Sequence, residues 1–337
     1  MGKQKKSTTI RDVAKRADVS VATVSNVLND KETVNPAIRD SVLRVVKEIG
    51  YTRSTRQLAR ADRLTGFLGL ISADVTDPVM SLIFKGIENV GRIHGYTSIL
   101  CDSENSVVLE KQHIESLIRK GVDGLLIVPS SDRVCCVEDL RRQELPFVVI
   151  DRRVMDPEAS YVVSDNTEGA FHAVKYLLSL GHRDIAYISG RSQISTAAER
   201  FLGYRKALEE WGVPLKDELI LPGGFEWEEA HRSVCDLVGN KVPFTAVFAA
   251  NDIMAFAAKA ALEQNGLRIY DDVSLIGYND ILYASAISLT TVALEPLEMG
   301  KNATLLLFDL IEKRRAPPYY VTMKPRLIIR SSCRKIG

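Results

Sequence analysis

From Gly66 onward the chain alternates short apolar runs with amphipathic helical stretches, and it does so twice. FLGLI precedes a helical pattern around Ile83–His94, TSILC precedes another around Glu110–Lys120, and DGLLIV and FVVID complete the first set. RDIAYIS opens a second set that runs through AVFAA, VSLIGY and LTTVAL, with helical stretches between. Strand–helix alternation of this kind builds parallel sheets covered by helices on both faces. Two successive sets predict two similar α/β lobes. Ligands of open parallel sheets bind beyond the carboxyl ends of the strands, so a cleft between two such lobes is the expected binding site.

Composition narrows the function classes. With 337 residues and 46% hydrophobic content the chain can bury a sizeable core, and its length suggests two or three domains. No apolar run reaches the ~18 residues that a membrane span needs. The basic start MGKQKKSTT is followed by no apolar segment, which argues against secretion. Five cysteines (Cys101, Cys135, Cys136, Cys235 and Cys333) form no CxxC pair, and they are read as reduced thiols in the cytoplasm. The adjacent Cys135 and Cys136 are read as ordinary residues beside a helix start, since vicinal pairs close strained rings. There is no G-x-S-x-G, no P-loop, no metal-spaced histidine cluster and no G-x-G-x-x-G after a strand. Neither catalysis nor a metal or cofactor is therefore expected.

Charge is unevenly placed. Residues 1–65 carry 14 Lys+Arg against 7 Asp+Glu, whereas the whole chain has a formal net charge of +1, so the head is basic and the body acidic. That distribution is the footprint of a small nucleic-acid-binding module joined to a body that does not bind nucleic acid. Helical periodicity sets the head apart from a disordered basic tail. Thr9 and Asp12 form a T-x-x-D capping box, after which Ile10, Val13, Ala14 and Ala17 recur at helical spacing. Ser20 can cap a second helix carrying Val21, Val24, Val27 and Leu28 on one stripe. Asn35-Pro36 starts a third, with Ile38, Val42, Val45 and Ile49 along it and Gly50 ending it. Two helices joined by a turn of about three residues, with a third closing the core, make a helix-turn-helix. On its second helix Ala22, Thr23, Ser25, Asn26 and Asn29 lie on or beside the exposed side, short enough for the backbone to approach a groove.

At this point a resemblance becomes specific. TIRDVAKRADVSVATVSNVLNDKETVNPAIRDSVLRVVKEIGY is similar to the N-terminal headpiece of the lactose-repressor (LacI/GalR) family, whose pattern it follows from Thr9 to Tyr51. The resemblance implies that Val21 and Ala22 occupy the two variable positions that choose bases. It makes Thr9, Thr23, Ser25 and Asn29 contacts that position the headpiece on DNA, with Thr33 a weaker one. At Asn26 the family usually has arginine, the best reader of guanine. Asparagine is shorter and prefers adenine, so the family's common operator is not expected here. After Tyr51 the family places a hinge that folds on the operator and wedges a leucine into the central minor groove. This chain reads YTRSTRQLARADRLTGFLG, without the usual proline, and an ungapped alignment puts Arg60 at the wedge. A shift of two residues makes Leu58 the wedge, with Arg56 and Arg60 flanking the groove. An apolar side chain can unstack a base step, whereas arginine stays on phosphate. The alternative is a charged flexible linker with no wedge.

The resemblance continues through the body, which is also similar to periplasmic sugar-binding proteins. VVIDR, SDNTEGA, LGHRDIAYISG, ERFLGYRKAL, FAANDIMA, VSLIGYNDI and the closing KPRLIIRSSC carry it. The family's N-P-F-F ligand segment appears as Asp77-Pro78-Val79-Met80, so its aromatic wall is absent there. The implied architecture is α/β: a helix-turn-helix headpiece over 1–52, a hinge over 53–65, and a two-lobed periplasmic-binding-protein-like core over 66–337. Lobe 1 spans about 66–163 and 295–324, lobe 2 about 164–294 and 325–337. Effector contacts are expected from Asp77, Asp151, Arg200, Phe225, Asn251 and Asp280, whereas His182 in LGHRDI reads as structural. The whole implies a cytoplasmic, homodimeric transcription regulator, usually a repressor. Its partners would be a near-palindromic double-stranded operator and a small polar effector, sugar-like or a related metabolite, with no membrane. A tetramer is not expected, since no leucine-heptad tail follows the final strand.

Overall fold

The computed structural model describes residues 10–17, 19, 20, 23, 24, 27, 35–48, 64–134 and 136–336. It divides into two compact units, 1–64 and 65–337.

In the first unit α1 spans Ile10–Arg16 and α2 spans Pro36–Glu48. Val13, Ala14, Val24, Val27 and Val42 are buried together, with Ala17, Val19, Val45 and Val46 packed around them. These are apolar positions that helical spacing brings to one side of each segment. The Thr23 backbone N–H donates to Ser20 Oγ at 3.0 Å, the bond expected of a helix cap. Ile38, expected on the buried stripe, stays outside this cluster at 38% exposure.

The second unit holds two six-stranded sheets. In the first, β1 (Phe67–Ser72), β2 (Thr97–Asp102), β3 (Gly124–Ile127), β4 (Phe147–Asp151), β5 (Tyr161–Ser164) and β11 (Tyr320–Met323) take the order β11-β5-β4-β3-β1-β2. Every pairing in it is parallel. In the second, β6 (Ile185–Ser189), β7 (Ile220–Pro222), β8 (Ala246–Ala249), β9 (Ser274–Asn279), β10 (Thr290–Ala293) and β12 (Arg326–Ile328) take the order β12-β10-β9-β8-β6-β7. Here only β12 runs antiparallel, against β10. The chain thus passes between sheets after Ser164, after Ala293 and after Met323. β7 and β11 are short edge strands without a long apolar run, and the sequence patterning does not single them out.

Strand pleating explains why lobe 1 needs unbroken apolar runs. Leu68 and Leu70 of β1, Leu126 of β3, and Val148 and Ile150 of β4 face α3 (Pro78–Ile93) and α11 (Pro296–Ile311). Their neighbours Ile71, Leu125, Ile127 and Val149 face the opposite way, toward α4 (Val107–Lys120) and α5 (Val137–Arg142). Alternate residues fill two helix-covered faces, so the inner positions of these strands are apolar on both sides. The α3–α11 crossing is close: a Cβ on Gly86 would sit 2.1 Å from Leu297 O, and one on Gly300 2.1 Å from Ile83 O. In lobe 2 a single core joins both sheet faces with α6 (Asn166–Ser179), α7 (Ser195–Glu210), α8 (Trp227–Gly239) and α9 (Asp252–Gln264). A short α10 (Leu282–Ala286) follows β9. No helix among the described residues is long and apolar enough to cross a membrane.

Candidate functional site

The carboxyl ends of both sheets open into one cleft enclosing about 240 Å³. Lobe 1 reaches it through turns after β1 and β4. Asp77 caps α3, its carboxylate accepting from the Val79 N–H at 2.9 Å. Asp151 ends β4 with φ +66°, a left-handed turn that few side chains adopt. Lobe 2 contributes Asn251, whose Oδ1 caps α9 by accepting from Met254 N–H at 2.8 Å. Phe225, also at φ +66°, packs its ring over Gly190, where a Cβ would come within 2.2 Å of it.

Arg200 is the most completely held of these groups. It is 4% exposed; its Nε donates to Asn166 Oδ1 at 3.0 Å and its Nη1 to Ala250 O at 2.5 Å. The guanidinium carbon lies 3.9 Å from the centre of the Tyr278 ring, a cation–π contact. A charge this deep is tolerated because neutral acceptors and a ring face replace its water.

Five of the six residues expected at the effector site, Asp77, Asp151, Arg200, Phe225 and Asn251, therefore line the cleft. Asp280 does not. Its carboxylate pairs with Arg330 Nη1 at 2.8 Å, and Asn279 takes the lining position. Asn279 at φ +112° and Asp280 at φ +54° turn the chain sharply at the end of β9, and neighbouring residues at a strand end face opposite ways. Asn279 is 9% exposed and its Oδ1 has no hydrogen-bond partner.

Arg152, not among the residues expected at the site, also lines the cleft. Its Nη1 donates to Pro129 O at 2.7 Å, and both terminal nitrogens reach Asn105 Oδ1 at 3.3 Å. Its Nε is buried without a partner. Burial lowers the Arg152 pKa from the ordinary arginine value. The signal was available, because Arg152 directly follows a strand-ending aspartate. Asp252, a further lining residue, is fully buried; it accepts from Thr291 Oγ1 at 2.6 Å and from Ile281 N–H at 2.8 Å. Burial raises its carboxyl to about 7 despite those two bonds. Burial likewise raises Asp77 to about 6, against the Val79 N–H bond that lowers it. His182 is buried, with Nδ1 2.9 Å from Thr245 Oγ1 and Nε2 3.1 Å from Arg334 O, so both ring nitrogens are occupied, tying the segment before β6 to the start of β8 and to the C-terminal segment. No cluster of three metal-ligating side chains occurs among the described residues.

Of the residues expected at DNA, Thr23 is described and stands one turn from the cap of its helix. Thr9, Val21, Ala22, Ser25, Asn26, Asn29, Arg56 and Leu58 lie outside the described residues, as do Thr33 and residues 53–63 of the hinge expected over 53–65.

A two-lobed core with a cleft between its sheets, joined to a helical headpiece, is the architecture of a class, the ligand-controlled DNA-binding regulators. Comparison with known proteins makes the class a family. Residues 9–54 match the bacterial regulatory proteins of the lacI family, and residues 174–333 match the periplasmic binding protein-like domain. The chain is 33% identical over 330 residues to the HTH-type transcriptional repressor PurR of Pectobacterium carotovorum, covering 96% of both chains. The solved complex of the transcriptional regulator CelR with cellobiose superposes with a TM-score of 0.75 at 29% identity, covering 96% of this chain and 99% of that one. A LacI family regulator from Enterococcus faecium with bound ribose gives 0.72 at 30% identity, covering 80% and 100%. The chain belongs to the lacI family of bacterial regulatory proteins and is a DNA-binding transcription regulator.

Proposed function

We propose that this regulator is a cytoplasmic, homodimeric repressor whose operator affinity is set by a small polyhydroxylated metabolite held between its lobes. The observation that carries the effector half is that two residues lining one cleft, Arg152 from lobe 1 and Asn279 from lobe 2, each hold a buried polar atom, Nε and Oδ1, that no protein group satisfies. Buried polar atoms are almost always satisfied, so a donor and an acceptor left open on residues lining one cavity call for a ligand bearing both functions. Hydroxyl groups bear both. Arg200, Asn251, Asp151 and Asp77 supply further hydrogen bonds, and Phe225 an apolar face for a sugar ring. Relatives described with cellobiose and with ribose support that class.

On DNA, Val21, Ala22 and Asn26 read base edges while Thr9, Thr23, Ser25 and Asn29 hold the backbone, and Leu58 wedges the minor groove beside Arg56. Two headpieces related by two-fold symmetry enter successive major grooves of a near-palindromic site. Ligand can shift operator affinity only through a difference in its affinity for two lobe arrangements, and ~100-fold coupling needs about 2.7 kcal/mol.

The test is a thermal-shift screen of the full chain against sugars, sugar acids and nucleobases, followed by mobility shift on DNA upstream of its own gene. A sugar should raise the melting temperature, be recovered unchanged and alter the DNA shift. Stabilisation by a nucleobase and by no sugar would overturn the ligand class while leaving the regulator reading intact.

A further inference from the structure

We infer that Glu199 is a positioning residue for Arg200, locking the amide that holds the guanidinium and tying that lock to the opposite lobe. The inference rests on reading Arg200 as an effector contact. Asn166, the first residue of α6, is 1% exposed and stands between the two side chains. Its Oδ1 accepts from Arg200 Nε at 3.0 Å, while its Nδ2 donates to Glu199 Oε2 at 3.0 Å. Nδ2 also donates to Ser164 O, at 3.3 Å.

An asparagine amide is nearly symmetric in shape, so its orientation is decided by its partners. Turned over, it would aim Nδ2 at a guanidinium that can only donate. Glu199 can only accept when ionised, and so it selects the orientation in which the carbonyl faces Arg200. Burial raises the Glu199 carboxyl from its ordinary range, with the Asn166 bond and Arg153 opposing.

Glu199 is in turn held from across the cleft. Arg153, in the turn after β4 of lobe 1, places Nε 2.9 Å from Glu199 Oε1. Its backbone N–H donates to Ser195 Oγ at 2.7 Å, at the start of the same helix, α7. A continuous line, Arg153 to Glu199 to Asn166 to Arg200, therefore runs from one lobe to the ligand-facing cation of the other. Opening the lobes removes Arg153 from Glu199 and loosens the lock on Arg200. Lobe closure and effector grip become two readings of one network.

The test needs neither effector nor operator, so its failure is distinct from failure of the proposed function. In the ligand-free full chain, the side-chain Nε–H signals of arginine are recorded by nuclear magnetic resonance, and Arg200→Lys identifies the Arg200 signal by its loss. Solvent exchange of the Arg200 Nε–H should be slow in the native chain. It should be at least about tenfold faster in Glu199→Ala, because the lock opens locally. Glu199→Gln, whose single carbonyl can still accept from Asn166 while its amide nitrogen then faces Arg153, should accelerate exchange clearly less than Glu199→Ala does. A residue that merely packs α7 would leave the Nε–H rate unmoved in both. Native exchange in Glu199→Ala, or equal acceleration in Glu199→Gln, would overturn the lock. Arg153→Ala should also accelerate exchange; an unchanged rate would overturn the link across the cleft. Should Glu199→Ala fail to fold, the Arg153→Ala rate decides.

Discussion

Arg152 of lobe 1 and Arg200 of lobe 2 both line the cleft, with Arg191 of lobe 2 beside them, and the first two are built to different degrees of completion. Arg200 of lobe 2 is already satisfied at Nε and Nη1 and lies on the Tyr278 ring. Arg152 of lobe 1 leans on Pro129 O and Asn105 but keeps a buried Nε with no partner. The first is part of the fold as much as of the site, and its removal strands other groups. The second is bound loosely enough by the protein that a ligand can finish it. A binding cleft thus contains residues whose loss reads as misfolding and residues whose loss reads as lost affinity, although both are arginines.

The comparison breaks most visibly at Arg200. Arg200→Ala strands Asn166 Oδ1 and Ala250 O in the interior and empties the space over Tyr278. Breaking such a buried charged network costs about 3–5 kcal/mol, so thermal unfolding should shift down by many degrees and effector binding should vanish. A native melting temperature in this variant would show that Arg200 is not a framework residue.

Asp252, also in lobe 2, gives a pH-dependent effect. Its folded-state carboxyl is raised to about 7, so the folded chain holds that proton more tightly than the unfolded chain does. The sign follows: its contribution is most favourable below the ordinary carboxylate range and is lost as pH rises from about 4 to about 7. The loss is of order 4 kcal/mol if the full shift is realised. Asp252→Asn does not titrate. The variant's stability relative to the native chain, followed by denaturant unfolding, should therefore improve steadily from about pH 4 to pH 7 and then level off. A flat difference would mean that Asp252 stays ionised throughout.

Arg152→Ala should separate the lobes from the other side. It leaves Asn105, which lines the cleft, and one buried acceptor, Pro129 O, so the melting temperature should fall less than in Arg200→Ala. Loss of a charged hydrogen bond to ligand should weaken effector binding by about 30- to 100-fold, or about 2–2.7 kcal/mol by calorimetry. A large drop in stability with unchanged affinity would reverse the assignment of the two arginines.

How much of this could be read beforehand depends on the length scale of each signal. The two lobes were legible because apolar runs such as FLGLI and FVVID extend through whole strands, and the headpiece because capping residues and apolar stripes repeat along its sequence. Short edges such as Ile220–Pro222 were not, since three residues carry no period. In the cleft, residues at strand ends were legible in kind but not in direction. Asp77 and Asn251 cap the helices that follow β1 and β8 and line the cleft, whereas Asp165, which caps the helix after β5, does not. Arg152 and Asn279 lie within one residue of expected positions, and only backbone turning decides which neighbour faces inward. The Asn166–Glu199 lock joins residues 33 positions apart, and nothing local in either segment marks the pair.

The smallest expected effect is the sharpest test of that last point. Asp280 and Asn279 are adjacent, and a carboxylate is ordinarily the stronger acceptor for ligand hydroxyls, so chemistry alone favours Asp280. Geometry favours Asn279, whose unpartnered Oδ1 is buried at the cleft, while Asp280 is already spent on Arg330. Asn279→Ala should therefore weaken effector binding about tenfold or more, because the hydrogen bond it removes is solvent-excluded. Asp280→Ala should change affinity less than about twofold and lower stability by no more than about 1 kcal/mol, since a partly exposed ion pair contributes little. The opposite ranking would require the β9–α10 turn to rotate by one residue when ligand binds. That rotation would release Arg330 from Asp280, so in the opposite ranking Arg330→Ala should tighten effector binding rather than leave it unchanged.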